Sequence, residues 1–381
     1  MRAALPFLRL AAHASAAVLF CSSAVAAQGS LSVQGFGFPS GQFSTRTIGT
    51  GGALADFDAQ SPINPASIGS GLRSTVYVQY DPEFRTSVAG GRTSQATVAR
   101  FPIFMISAAY EKATFGLSYS NYLDRTWSNE YADTVVIGSE RLPTSVKASS
   151  LGGIADIRGA FAWTFSPRFV VGIGLHAFSG NNTTVIGRTF NDSLRFGGFN
   201  QSGLVGYGGM GTSIGFVAVP FEHFNIAADA RFGGSLNVRQ GDTTVLGSAT
   251  VPQRIGASFA YDGIPGSTFA VRWAKERWSD LKGLGSAGLG IQDATDMSVG
   301  AEIAGPKLNG SDIGMRIGAR SRDLPFAVRN ATVKEKSYSG GLGLPVSRNA
   351  LVDLGLQHAT RTATGANETA WIVSIGLSIR P

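Results

Sequence analysis

The stretch Ala155-Asp156-Ile157-Arg158-Gly159-Ala160-Phe161-Ala162-Trp163 sets its large apolar side chains on odd positions and a charged pair on even ones. A period of two sends successive side chains to opposite faces of a strand. The pattern returns in Phe224–Phe232 (FNIAADARF), in Ile313-Gly314-Met315-Arg316-Ile317 and in Trp371–Ile379 (WIVSIGLSI). A soluble sandwich also alternates, but its outer face carries Lys, Glu and Thr, whereas the polar positions here are too often Gly, Ala or Ser. One face therefore suits lipid and the other a lumen.

Composition agrees. The 381 residues include 50 glycines and only 15% charged residues, against about 25% in ordinary soluble domains. Beyond residue 27 no run of 18 apolar residues could form a membrane helix. A chain this apolar without helical spans points to an all-β fold, a 14-stranded antiparallel transmembrane β-barrel. The fourteen segments lie near residues 72–81, 96–110, 114–128, 149–165, 169–183, 203–219, 224–239, 250–261, 267–278, 296–304, 312–320, 333–344, 350–360 and 367–379. Short turns (Glu111–Ala113, Ser166–Arg168, Pro220–His223, Asp262–Gly266, Gly305–Ser311, Pro345–Asn349) alternate with longer connections expected near 82–95, 129–148, 184–202, 240–249, 279–295, 321–332 and 361–366. Short turns on one side and long loops on the other are the habit of outer-membrane barrels.

Residues 1–27 read as a cleaved signal peptide: Arg2 and Arg9 without an acid, an apolar stretch to Phe20, then small residues to Ala26 and Ala27. Phe20 before Cys21 argues against a lipid-anchor signal. Removing Arg2 and Arg9 leaves 30 of the 32 basic residues against 25 acidic ones, a net +5, and Cys21 is the only cysteine. The basic residues are dispersed singly, which excludes a nucleic-acid surface. The expected location is the outer membrane of a Gram-negative-type bacterium, among its lipids; oligomeric state is not legible.

Residues 28–71 fit neither strand nor long helix. Gly49-Thr50-Gly51-Gly52 makes regular structure costly, and Pro62 and Pro65 remove donors. Yet Leu31, Val33, Phe36, Phe38, Phe43, Ile48, Leu54 and Phe57 are too apolar for a solvated linker. Irregular backbone at membrane depth is tolerated only inside protein or a wet cavity. A plug inside the barrel of residues 72–381 meets that condition; periplasmic disorder is the alternative.

Gly51-Gly52-Ala53, Ala55-Asp56, Asp58 and Asn64-Pro65-Ala66 resemble the N-terminal hatch of the FadL-type outer-membrane transporters of long-chain fatty acids and aromatic hydrocarbons. Pro252-Gln253-Arg254-Ile255-Gly256 leading to Trp273 and Trp278 is a second similarity. A third, looser, joins Arg316-Ile317-Gly318 and Leu324-Pro325-Phe326 to Tyr338–Gly343. Two departures are Ile63, where the family often has an aromatic, and the ending Ile379-Arg380-Pro381, where such barrels commonly present one. The resemblance implies passive uptake of a hydrophobic small molecule without a cofactor, by hatch movement and lateral exit through a kinked third strand. Gly116, Ser118, Ser120 and Asn121 would bend cheaply there. The plan is also similar to PorV-like shuttle proteins, which bind secreted proteins instead.

Asp156, Arg158, Asp229, Arg231, Arg254, Arg272, Glu276, Arg316, Arg320 and Asp353 share the lumen parity. Their mixed signs suit pairs that hold wall and plug together, or an anion-selective lumen. Tyr77, Tyr80, Tyr110, Tyr119, Tyr122, Trp127, Trp163, Trp273, Trp278 and Trp371 suit interfacial girdles or ordinary strand composition. Gly211-Thr212-Ser213-Ile214-Gly215 fits G-x-S-x-G, but that motif needs a strand-to-helix turn. Gly283–Gly288 fits G-x-G-x-x-G with no helix following. Both read as chance. His176, His223 and His358 lack ligand spacing, so neither a metal nor an enzyme is expected, although a Ser–His pair across strands stays open.

Overall fold

A computed structural model describes residues 31, 36–70, 74–89, 92–241, 244–284, 290–308, 310–328 and 331–380. The expected signal peptide lies outside them. Seventeen strand segments follow one another: β1 (Thr75–Ala89), β2 (Arg92–Arg100), β3 (Ile103–Tyr110), β4 (Ala113–Asp124), β5 (Trp127–Ile137), β6 (Glu140–Ser166), β7 (Phe169–Phe190), β8 (Phe199–Phe221), β9 (Phe224–Gln240), β10 (Thr244–Thr250), β11 (Arg254–Ile264), β12 (Ser267–Glu276), β13 (Ala294–Leu308), β14 (Ser311–Val328), β15 (Ala331–Ser347), β16 (Ala350–Ala363) and β17 (Ala366–Ile379).

Every ladder is antiparallel. β2 and β3 share the partner β1. β4 and β5 share β6, and β10 and β11 share β9. The segments therefore make fourteen wall strands, and β17 closes the barrel on β1 from Val76↔Ile379 to Ala89↔Ala366.

Alternation is carried through. On β4, Phe115, Leu117 and Tyr119 are exposed on the outer wall while Thr114, Ser118 and Ser120 are buried inside. Tyr110, Tyr119, Trp163, Trp273 and Trp371 also face out, but Tyr77, Tyr122 and Trp278 are buried within the barrel and belong to no girdle.

The long connections expected from sequence are mostly strand. Residues 82–89 continue β1, 184–190 continue β7, and β6 alone runs 27 residues. The reason is physical: beyond the lipid, backbone pairing continues but neither face has to be apolar, so the alternating signal fades while the ladder does not.

The second wall strand is interrupted at Phe101-Pro102, where proline has no amide to donate. The third is interrupted at Arg125-Thr126, after a register shift between Asn121 and Leu123. It breaks beyond all four positions that the sequence offered for a bend. β3 pairs with β4 from Ile103↔Ser120 to Tyr110↔Ala113. Among the described residues no ladder joins β2 to β5.

Inside the wall lies the segment 36–70. Its one α-helix, α1 (Thr45–Gly49), is capped by Ser44, whose Oγ accepts from the Thr47 amide at 3.1 Å. Pro65 opens a 3-10 turn, Pro65–Gly69, where its missing amide costs nothing. The segment touches opposite parts of the wall. The Thr45 amide donates to Tyr77 Oη on β1 at 2.9 Å, Arg46 pairs with Glu302 on β13 at 2.7 Å, and Asn64 Nδ2 donates to the Phe216 carbonyl on β8 at 3.1 Å.

Candidate functional site in the barrel lumen

Six of the seven hatch-motif residues lie where the inner segment meets the wall, and Asp58 does not. Gly51 has φ +66°, and a Cβ there would lie 2.7 Å from the Ala319 amide nitrogen. The facing wall residue is also a glycine, since a Cβ at Gly318 would lie 2.1 Å from the Thr50 carbonyl carbon. Backbone packs on backbone here, so both partners must lack side chains. Gly52, φ +99°, presses on the Phe43 ring. Asn64 Oδ1 accepts from the Ala66 amide at 2.9 Å, while Nδ2 also donates to the Asp56 carbonyl at 3.0 Å. Pro65 and Ala66 pack against Gly172 of β7. Asp58 stays within the segment, accepting from Ser44 Oγ and, at 3.0 Å each, from Thr47 Oγ1 and Ser61 Oγ.

Asp56 is the segment's anchor to the wall. It accepts from Ser258 Oγ at 2.6 Å and pairs with Arg272 at 3.2 Å and Arg254 at 3.5 Å. Burial pushes its carboxyl up, but Arg272 and then Arg254 outweigh that and hold it below the ordinary carboxylate range. Arg254 also meets Asp229 at 2.9 Å and Glu276 at 3.7 Å. Glu276 in turn accepts from Trp278 Nε1 at 2.8 Å. Arg231 reaches Gln42 Oε1 at 3.4 Å and Tyr122 Oη at 3.3 Å. Arg316 bridges Glu302 (2.6 Å) and Asp353 (2.5 Å), and Arg320 pairs with Asp296 at 2.5 Å. Asp156 accepts from Gln42 Nε2 and faces His176 Nδ1, both at 2.9 Å. Nine of the ten lumen charges named from sequence thus have partners. Arg158 forms no hydrogen bond: all three guanidinium nitrogens are buried without a partner for one among the described residues, although Asp156 and Asp229 act on its charge.

A second charge network was missed entirely. Glu83, Arg85, Arg100, Asp124, Arg322, Glu335, Arg361 and Glu368 surround Phe38. Arg361 alone meets Glu83 (2.8 Å), Glu335 (2.6 Å) and Glu368 (2.5 Å). Arg100 joins Glu83 (2.5 Å) to Asp124 (2.8 Å), and Arg322 adds Glu335 at 2.6 Å. Four guanidiniums lie around the Phe38 ring, at 4.4 Å (Arg361), 4.8 Å (Arg85), 5.5 Å (Arg322) and 5.8 Å (Arg100) from its centroid. Such contacts attract through the ring quadrupole. The available signal was parity: Asp81, Glu83, Arg85 and Ser87 alternate with Pro82, Phe84 and Thr86, but all beyond Asp81 fall in an expected loop.

Phe38 also meets the interrupted third strand. Its amide donates to the Asp124 carbonyl at 2.8 Å and its carbonyl accepts from the Asp124 amide at 2.9 Å. The inner segment so supplies one rung where β2 and β5 diverge. Next to this notch sits an apolar cluster of Phe36, Tyr122, Phe178, Tyr207 and Trp278, with Tyr122 stacked on Trp278 at 5.5 Å. Below the segment, Phe57, Ile68, Tyr77, Met105, Arg46 and Arg316 line a cavity of about 410 Å³.

Neither a family sequence model nor a curated protein matches the chain by sequence. Solved structures do match its fold. The CymD monoaromatic hydrocarbon channel is 14% identical with a TM-score of 0.56 over 91% of this chain and 98% of its own. The Pseudomonas putida toluene transporter TodX is 12% identical, TM-score 0.59, over 89% and 98%. A Pseudomonas aeruginosa FadL homologue is 11% identical, TM-score 0.58, over 90% and 99%. The architecture, a closed fourteen-stranded antiparallel barrel, is that of the FadL-type transporters.

Proposed function

We propose that the protein is an outer-membrane channel for passive uptake of hydrophobic small molecules, fatty acids or hydrocarbons, and that the solute leaves sideways through the wall between β2 and β5. The observation that carries this is the notch. In lipid every backbone polar group needs a partner, and a wall strand lacking its neighbour is tolerable only where something else completes it. At Asp124 that something is Phe38, part of a segment held by side-chain contacts and not by a continuous ladder. The aromatic cluster beside it offers an apolar solute a dry place to leave water. Movement of segment 36–70 as a hatch would then free both the cluster and the notch. An aromatic-lined cluster suits the aromatic hydrocarbons named for the similar channels.

The test is a reversible lock. Phe38→Cys with Asp124→Cys, oxidised, ties the segment to the strand edge. Cells carrying it should lose accumulation of labelled toluene or oleate and recover it on reduction. Uptake unchanged by oxidation would refute hatch movement at this notch. If the purified protein brings down secreted proteins and no lipidic solute, the shuttle reading replaces uptake altogether.

A further inference from the structure

His176, on β7, stands between Asp156 on β6 and Ser213 on β8. Its Nδ1 lies 2.9 Å from Asp156 Oδ1 and its Nε2 lies 2.9 Å from Ser213 Oγ. That is a nucleophile within reach of a base, and a base oriented by a carboxylate. Ser213 is the serine of the Gly211–Gly215 motif, set here on a strand. The register explains the convergence, since Arg158 faces His176 across the β6–β7 ladder and Gly174 faces Ser213 across β7–β8. A Cβ at Gly174 would lie 2.4 Å from Ser213 Oγ, 3.4 Å from Arg158 Cδ and 3.5 Å from His176 Nε2. The three groups meet over a position left open by glycine.

A network that merely braced the wall would not leave a guanidinium idle in its midst. Arg158 is 1% exposed, and Asp156 and Asp229 act on its charge, but among the described residues none of its three nitrogens has a hydrogen-bond partner, and neither has Oγ of Ser118, which faces it on β4. Buried donors left unpaired call for an explanation, and an anion accepting from them would supply it. Ester hydrolysis generates two in succession, the oxyanion of the tetrahedral intermediate and the carboxylate product.

We propose that Ser213, His176 and Asp156 form a hydrolytic site for carboxylic esters of apolar acids or alcohols, with Arg158 as its anion-holding group. Ser213 Oγ bonds to the ester carbonyl carbon and gives its proton to His176 Nε2. The carbon–oxygen bond to the alcohol breaks, and His176 returns the proton to the departing oxygen. Water then adds to the acyl carbon through the same base, releasing the acid and restoring Ser213. Asp156 holds the imidazole orientation, and Arg158 meets the oxyanion and then the carboxylate. Asn64 and Ala66 lie one rung below, against Gly215 and Gly172. A substrate thus reaches Ser213 as the inner segment shifts, so access rests on the hatch movement proposed above.

The full-length chain in detergent should acquire one fluorophosphonate adduct, mapped by mass to Ser213, and should hydrolyse p-nitrophenyl butyrate. Ser213→Ala should abolish both, and His176→Gln should slow them about 10²-fold, with heat-modifiable migration monitoring the barrel. Asp56→Ala, which loosens the segment, separates access from chemistry. An adduct there alone still supports the site and places it behind the segment. No Ser213 adduct in either protein overturns it, while toluene uptake measured in parallel judges the channel reading independently. Should a variant fail to fold, the site of the adduct in the unaltered chain decides.

Discussion

Asp56→Ala tests how firmly the inner segment is held. In the native protein this carboxylate, 0% exposed, joins Arg272, Arg254 and Ser258 from two neighbouring strands. Removing one partner of a buried ion pair costs about 3–5 kcal/mol because the remaining charge is stranded. Arg254 would keep Asp229 at 2.9 Å, whereas Arg272 would keep only Asp296 at 3.5 Å. One cation is stranded, not two, so the lower end applies, about 3 kcal/mol. At about 1.4 kcal/mol per factor of ten, the displaced state becomes roughly 100-fold more populated. Ser67→Cys reports it: Ser67 is fully buried, and the only native cysteine, Cys21, falls in the expected signal peptide. Maleimide labelling of Cys at 67 tracks the open population when reclosing is fast relative to modification. An acceleration below about tenfold, under 1.4 kcal/mol, in a correctly folded barrel would refute Asp56 as the anchor.

Gly51→Ala should speed the same labelling, by a cost of about 1–3 kcal/mol, because its Cβ would meet the Ala319 backbone; Gly138→Ala, with φ +65° but open surroundings, should leave it unchanged. Asn64→Ala removes a cap and the donation to the Phe216 carbonyl, and should cost about 1–2 kcal/mol, read as faster hydrogen exchange at residues 66–69. Acid should loosen the segment through Asp56. Its folded pKa is lowered, so the stabilisation is complete above the unfolded carboxylate value of about 4 and is lost as pH falls through the folded one. Exchange rates of residues 44–70, corrected for intrinsic pH dependence, should rise as pH falls below about 4 and level off below the folded pKa, and the rise should vanish in Asp56→Ala.

What the sequence disclosed followed the bilayer. Where lipid lies outside, Phe115, Leu117 and Tyr119 must alternate with Thr114, Ser118 and Ser120, and the fourteen strands could be counted. Where lipid ends, Glu83, Arg85, Arg322 and Arg361 sit on strand that looks like loop, and the network around Phe38 showed only as an alternation of charges. Tyr77, Tyr122 and Trp278 show a second limit: an aromatic near a segment end can cap the lumen as readily as the interface, and composition does not say which. Asp156, His176 and Ser213 show a third. Each lies on a different strand, and only ladder register brings them within hydrogen-bond distance.

The closing ladder between β1 and β17 has a consequence for biogenesis. It joins residues from nearly opposite ends of the chain, such as Val76 and Ile379, so it is the pairing with the heaviest loop entropy and the natural last step. Tyr77 on β1 and Ser374 on β17 both bond Thr45 of the inner segment, at 2.9 Å to its amide and 2.8 Å to its hydroxyl. The segment therefore bridges the two strands that must find each other. In the nascent, still open sheet it can act as an internal template, drawing the final hairpin toward the first strand before the wall is sealed around it.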